Sequence, residues 1–100
     1  MEFEKPNESG FTVYSKNGCP NCIKVKALLK EKKLLFSVVD CDEYLIEDKD
    51  NFLLFIEKTA KQSCKLFPMV FNDSTFIGGF NETKDFIDKT LVSFEENFIF

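Results

Sequence analysis

The chain has no histidine and no tryptophan, and only 4 glycines and 3 prolines in 100 residues. Without histidine, no imidazole can take a proton from a nucleophile or complete a mixed zinc site. No apolar run approaches the roughly 20 residues of a membrane-spanning helix. The lead from Met1 to Ser9 is polar and lacks the apolar stretch of a secretory signal, so export is not expected. A formal net charge of −4 is the wrong sign for a nucleic-acid footprint. There is no internal repeat and no low-complexity linker. The acidic stretch Asp42, Glu43, Glu47, Asp48 and Asp50 reads as the solvated start of a helix, not as a pair of catalytic carboxylates. A chain of this length holds one core, so residues 1–9 are expected to be a flexible lead and residues 10–100 a single domain.

Phenylalanine and cysteine are what remain conspicuous. Thirteen phenylalanines supply much of the core volume. The 4 cysteines show no framework spacing, which suits a reducing, cytoplasmic setting. Cys41 and Cys64 stand alone, but Cys19 and Cys22 are a close pair in the stretch Lys16-Asn17-Gly18-Cys19-Pro20-Asn21-Cys22. A strand-like run, Phe11 to Ser15, leads into the pair, and a helix-like run leads out of it. Two thiols at a strand-to-helix junction read as a redox pair. A helix start presents unpaired N–H groups and partial positive charge, which favours a thiolate there. Pro20 fits the first helical turn, where its missing N–H costs nothing, and Lys16 adds a cation in the preceding loop. Cys19 is therefore expected to ionise readily and act as nucleophile. Cys22, one turn further in, is expected to resolve the mixed disulfide. A zinc site would need four N/S ligands, and the other two thiols are distant from the pair and from each other, so no metal is expected. A structural disulfide closing so short a loop would constrain little of the unfolded chain.

Three motifs in order, Lys16 with Cys19-Pro20-Asn21-Cys22, then Phe67-Pro68-Met69-Val70-Phe71, then Phe76-Ile77-Gly78-Gly79-Phe80, resemble those of the glutaredoxins over roughly residues 10–94. The resemblance implies an α/β, thioredoxin-like fold with a four-stranded mixed sheet flanked by helices. It implies a glutathione-dependent disulfide oxidoreductase acting on protein disulfides and glutathione mixed disulfides, with no tightly bound cofactor and glutathione as co-substrate. It also implies a cis Phe67–Pro68 bond facing the cysteine pair, and glutathione contacts from Lys16, Asn21, Lys65, Phe67, Pro68, Gly79, Asn81 and Glu82. A monomer is expected. This chain departs from the family pattern at several points. Leu66-Phe67-Pro68 stands for Thr-Val-Pro, Asn21 replaces an aromatic residue, and Asn81-Glu82 replaces a Ser or Thr followed by Asp.

Along the chain, Phe11 to Ser15 reads as a central strand. Pro20 to Lys33 reads as a helix with Ile23 and Ala27 on one row and Val25, Leu28 and Leu29 on another. Leu34 to Asp40 reads as a buried strand, which makes a parallel βαβ unit. One further helix is expected from the acidic turn through Lys61. A hairpin of Phe67–Asn72 and Thr75–Gly78 should follow, then a helix from Asn81 or Glu82 carrying Phe86, Ile87, Thr90, Leu91 and Phe94. The apolar end, Asn97 to Phe100, is expected to pack on the core or on another subunit. Cys41 reads as a small buried residue at a strand end, and Cys64 as a loop cysteine near the rim of the site.

Three other readings compete. One is a redoxin of the same fold reduced by thioredoxin reductase, with no true glutathione site. Another is a carrier of an iron–sulfur cluster bridged by Cys19 and glutathione, disfavoured by Pro20. The last is a binding module with an incidental thiol pair.

Overall fold

The computed structural model describes residues 2–92, with side chains through residue 90. Expectations for Leu91, Phe94 and the 97–100 segment concern side chains outside the described residues. The elements in order are β1 (Phe11–Ser15), α1 (Pro20–Glu31), β2 (Phe36–Asp40), α2 (Asp42–Glu47), α3 (Lys49–Ala60), β3 (Met69–Asn72), β4 (Thr75–Gly78) and α4 (Phe80–Ile87), followed by a π-helical turn, Asp88–Val92. The four strands form one sheet in the order β2-β1-β3-β4. β2 runs parallel to β1, with Phe11 opposite Phe36. β3 runs antiparallel to β1, and β4 antiparallel to β3. This is the mixed sheet flanked by helices that the motif order implied.

β1 is buried along its whole length, and its side chains alternate between two layers. Phe11 and Val13 join Val25, Leu29, Val70 and Ile87 on the α1/α4 face. Tyr14 joins Val39, Phe52, Ile56, Met69 and Phe71 on the α3 face. Phe3, within the lead, packs edge-on against Tyr44 and Phe52, and the Tyr14 hydroxyl donates to the Glu4 carbonyl.

Several boundaries differ from expectation, each for a local reason. α1 stops at Glu31 instead of Lys33. The Leu34 N–H donates to the Leu29 carbonyl and the Lys33 N–H to that of Lys30, with Lys33 at φ 58°. That is a Schellman-type stop, and it moves the start of β2 to Phe36. Ile23 is 66% exposed while Cys22, Val25 and Leu29 are buried, so the Ile23–Ala27 row faces outward. The single helix expected through Lys61 is two helices. Asp48, at φ −153° and ψ 52°, leaves the helical region between them. Its N–H still donates to the Tyr44 carbonyl and its own carbonyl accepts from the Phe52 N–H, so it ends α2 and starts α3. The Asn51 side chain donates to the Asp48 carboxylate and fixes the corner. Phe67 and Pro68 precede β3 rather than belonging to it, and α4 begins at Phe80.

Candidate active site

β1 delivers the chain to a short loop in which Gly18 adopts φ 68°, a left-handed conformation suited to glycine. The loop ends at Cys19, the N-cap of α1, in an extended conformation (φ −113°, ψ 102°) with Pro20 as the first helical residue. The Cys22 N–H donates to the Cys19 sulfur at 3.2 Å. A sulfur thus occupies the role normally taken by a serine or aspartate oxygen, accepting one of the helix's orphan donors. Both that hydrogen bond and the helix dipole favour a thiolate over a thiol. The Cys19 and Cys22 sulfurs lie at disulfide distance with Cα atoms 5.2 Å apart, inside the usual range for a bridge. Cys19 is 7% exposed and Cys22 1%. The first sulfur is the accessible one and the second sits beneath it.

The Phe67–Pro68 bond is cis, as the family resemblance implied. The Phe67 ring stacks nearly parallel to the buried Phe52 ring, centroids 6.4 Å apart. On the Phe67 ring lies the Lys16 ammonium, 5.5 Å from the centroid. This is cation–π distance, so Phe67 orients the loop lysine.

Beside the cysteine motif opens a cleft of about 420 Å³. Asn21, Phe67, Pro68, Gly79, Asn81 and Glu82 all line it, so six of the anticipated ligand residues converge. Lys16 and Lys65 are not among its lining residues. Lys65 lines a neighbouring groove against α3, with Leu53, Leu54 and Glu57. Gln62 and Phe76 also line the cleft. Gln62 follows α3 in a loop and carried no sequence signal, whereas Phe76 belongs to the third motif and was legible as a strand residue. At the α4 start the Glu82 carboxylate accepts from the Gly79 N–H at 2.8 Å.

The other two thiols differ in setting. Cys41 is fully buried, and desolvation pushes its thiol up to about 12. Cys64 lines both the cleft and the neighbouring groove, and partial burial raises its thiol as well. Neither is a ready nucleophile at neutral pH. Among the described residues, no group of three or more His, Cys, Asp or Glu is placed to hold a metal ion. No described helix is long and apolar enough to cross a membrane.

Comparison with known proteins agrees with this geometry. The glutaredoxin family model matches residues 11–77. Glutaredoxin 1 of Rickettsia felis is 34% identical over 67 residues, covering 67% of this chain and 61% of that protein. The chain thus spans less than two thirds of that relative. Glutaredoxin-like protein NrdH of Lactococcus lactis subsp. cremoris is 30% identical over 73 residues, covering 73% of this chain and 90% of that protein. Among solved structures, glutaredoxin 1 from Francisella tularensis, complexed with cacodylate, superposes with a TM-score of 0.70 at 29% identity, covering 81% of this chain and 94% of that one. A buckwheat glutaredoxin–glutathione complex superposes with a TM-score of 0.67 at 25% identity, covering 87% and 76%. With its sulfur-capped helix, its cis-proline beside the thiol pair and these relatives, the chain belongs to the glutaredoxin family and has its thioredoxin-like fold.

Proposed function

We propose that the chain is a glutathione-dependent thiol–disulfide oxidoreductase that reduces protein disulfides and glutathione mixed disulfides. The observation that carries this reading is the Cys19 sulfur, held as the N-cap of α1 with the Cys22 sulfur at disulfide distance behind it. The cleft beside that pair supports a place for the rest of the substrate, as does the likeness to a glutaredoxin crystallised with glutathione.

In the proposed cycle the Cys19 thiolate attacks one sulfur of the substrate disulfide. The substrate S–S bond breaks, a Cys19–substrate disulfide forms, and the other sulfur leaves as a thiolate that takes a proton from solvent. The mixed disulfide is then resolved in one of two ways. The Cys22 thiolate attacks the Cys19 sulfur, forming the intramolecular disulfide and expelling the second substrate thiol. Alternatively, where Cys19 carries a glutathionyl group, a glutathione thiolate attacks that group's sulfur, and the Cys19 thiolate leaves as glutathione disulfide forms. A protein disulfide consumes two glutathione molecules, which leave as glutathione disulfide; a glutathione mixed disulfide consumes one, the other half of the product coming from the substrate. Lys16, on the Phe67 ring, contributes positive charge where thiolates form and leave. The backbone beside cis-Pro68 is suited to pair with an extended disulfide-bearing segment. The reading includes Lys65 and Asn81 as glutathione contacts, a monomeric protein, and a reducing cytoplasm that keeps the pair cycling.

The test is reduction of a small glutathione mixed disulfide by wild type, Cys19→Ser and Cys22→Ser, with glutathione as reductant. Loss of activity in Cys19→Ser and its retention in Cys22→Ser are expected. A second reading, a redoxin reduced by thioredoxin reductase, is favoured by the Glu82 carboxylate at the α4 start and by the position of Lys65 outside the cleft. Turnover by the wild type with thioredoxin reductase, and none with glutathione, would establish it.

A further inference from the structure

Among the described residues, the Thr83 hydroxyl is buried without a hydrogen-bond partner. The residue is wholly buried, and its N–H already donates to the Gly79 carbonyl at 3.0 Å. Buried donors are nearly always paired, so the surroundings of this one matter. β1 and β4 both run antiparallel to β3, so their C-terminal ends lie at the same end of the sheet. α1 follows β1 and α4 follows β4, so both helices start at that end, and they pack against each other. Two landmarks fix their relative height. Asn21 and Glu82 line the same cleft. Deeper in, Val25 and Leu29 of α1 share one core cluster with Ile87 of α4. Cys22 directly follows Asn21, and Thr83 directly follows Glu82. Each stands one turn above those core residues. The 1% exposed Cys22 and the fully buried Thr83 therefore lie at the same level, between the cleft and the core, on the packed sides of the two helices.

We infer that Thr83 is a positioning residue whose hydroxyl donates a hydrogen bond to the Cys22 sulfur once the Cys19–Cys22 disulfide opens. This deepens the oxidoreductase reading and rests on it. In the structure the two sulfurs are at disulfide distance and the hydroxyl is unpartnered. A disulfide sulfur is neutral and a weak acceptor, whereas a thiolate is charged and a stronger one. When a glutathione thiolate attacks the Cys19 sulfur, the Cys19–Cys22 bond breaks and its electron pair stays on Cys22. A thiolate then forms out of water, where it needs a donor. The Cys22 N–H is directed at the Cys19 sulfur. The Thr83 O–H supplies a donor from the facing helix and keeps its proton. In the reverse direction, the same bond holds the Cys22 thiolate in place for its attack on a Cys19 mixed disulfide. The hydroxyl thus favours the dithiol over the disulfide and makes the pair a stronger oxidant.

The experiment measures the equilibrium between dithiol and disulfide for wild type, Thr83→Val and Thr83→Ser in glutathione buffers of defined redox ratio. The peptide that holds Cys19 and Cys22 is quantified by mass spectrometry after acid quench and alkylation, which keeps Cys41 and Cys64 out of the count. Valine keeps the shape and removes the donor, whereas serine keeps the donor. Thr83→Val is expected to shift the equilibrium about tenfold toward the disulfide, the scale of one hydrogen bond to a charged group, or about 30 mV more negative. Thr83→Ser should stay within about twofold of the wild type. Thr83→Ala also lacks the donor and carries the same expected shift, should the valine variant not fold. An unchanged equilibrium, or a shift toward the dithiol, in a folded variant without the hydroxyl would overturn the proposal. So would a serine variant shifted as far as the valine one, because the methyl group and not the hydroxyl would then matter. Failure of the oxidoreductase reading would show separately, as no turnover of a disulfide peptide by the wild type with glutathione or with thioredoxin reductase. The equilibrium ratio would still read the effect of Thr83.

Discussion

A buried hydroxyl without a hydrogen-bond partner costs about 1–3 kcal/mol. Among the described residues, the Thr83 side chain is in that position, fully buried in the first turns of α4 with no partner for its oxygen. Valine has nearly the same shape and no polar atom. Thr83→Val is therefore expected to raise the unfolding free energy by about 1 kcal/mol in urea titrations. A loss of stability instead would mean that the hydroxyl is satisfied in solution. The thiols make a second test at this scale. With the protein reduced and native at pH 8, Ellman's reagent should modify Cys19 first and Cys64 slowly. Cys41, buried and pushed up to about 12, should react only after denaturation. Fast native labelling of Cys41 would contradict its place in the core.

Two helices end on lysines in the left-handed region, Lys33 after α1 at φ 58° and Lys61 after α3 at φ 63°. An L-residue with a Cβ is disfavoured there by about 1–2 kcal/mol, and glycine is not. Lys33→Gly and Lys61→Gly should each raise stability by up to ~1 kcal/mol, because glycine's extra unfolded-state entropy offsets part of the gain. Chemical denaturation of the single and double variants would check this. The two sites lie in separate elements, so the effects should add. A destabilised Lys61→Gly would indicate that the lysine stem contributes packing that the backbone geometry does not reveal. The opposite case is Gly78, at φ 135° with Glu82 pressed against it. Any side chain there would meet both the wrong backbone conformation and the resident glutamate.

At the scale of the whole molecule, β1 joins the two core layers, and the α3-side layer holds the groups that set alkaline stability. Tyr14 and Cys41 both lie in it, and burial raises both. For an acid raised by folding, the native state holds its proton to higher pH than the unfolded chain does. Between the ordinary thiol value of 9.0 and the raised value of about 12, the unfolded state releases protons that the native state keeps. The contribution from Cys41 is thus fully present below pH 9.0 and is lost progressively as pH rises toward about 12. Unfolding free energy measured from pH 8 to 11 should fall more steeply for the wild type than for Cys41→Ala. Parallel slopes would show that Cys41 does not carry the effect.

Local chemistry decided much that could be read directly from the chain. The thiol pair at a strand-to-helix junction, Pro20 in the first turn, the hairpin turn at Asn72-Asp73-Ser74 and the fully buried β1 each follow from side-chain type and spacing within a few residues. Their physical causes are short-range: helix-end donors, a fixed proline φ and alternating apolar faces. The break at Asp48 was written locally too, in a capping residue followed three positions later by Asn51, but the helical spacing of Phe52, Phe55 and Ile56 concealed it. Other features required the folded molecule. Whether Lys65 faces the cleft or the α3 groove depends on the path of the loop after α3, which no local pattern encodes. That Phe67 stacks on Phe52 and carries the Lys16 ammonium depends on three segments brought together by the sheet. That the Glu82 carboxylate reaches the Gly79 N–H depends on the space above two glycines. The sequence by itself determined which atoms the proposed chemistry uses, because the setting of Cys19 is fixed by its own helix start. The tertiary structure decided what the site admits, because the charge and shape of a cleft are sums over residues that are neighbours only after folding.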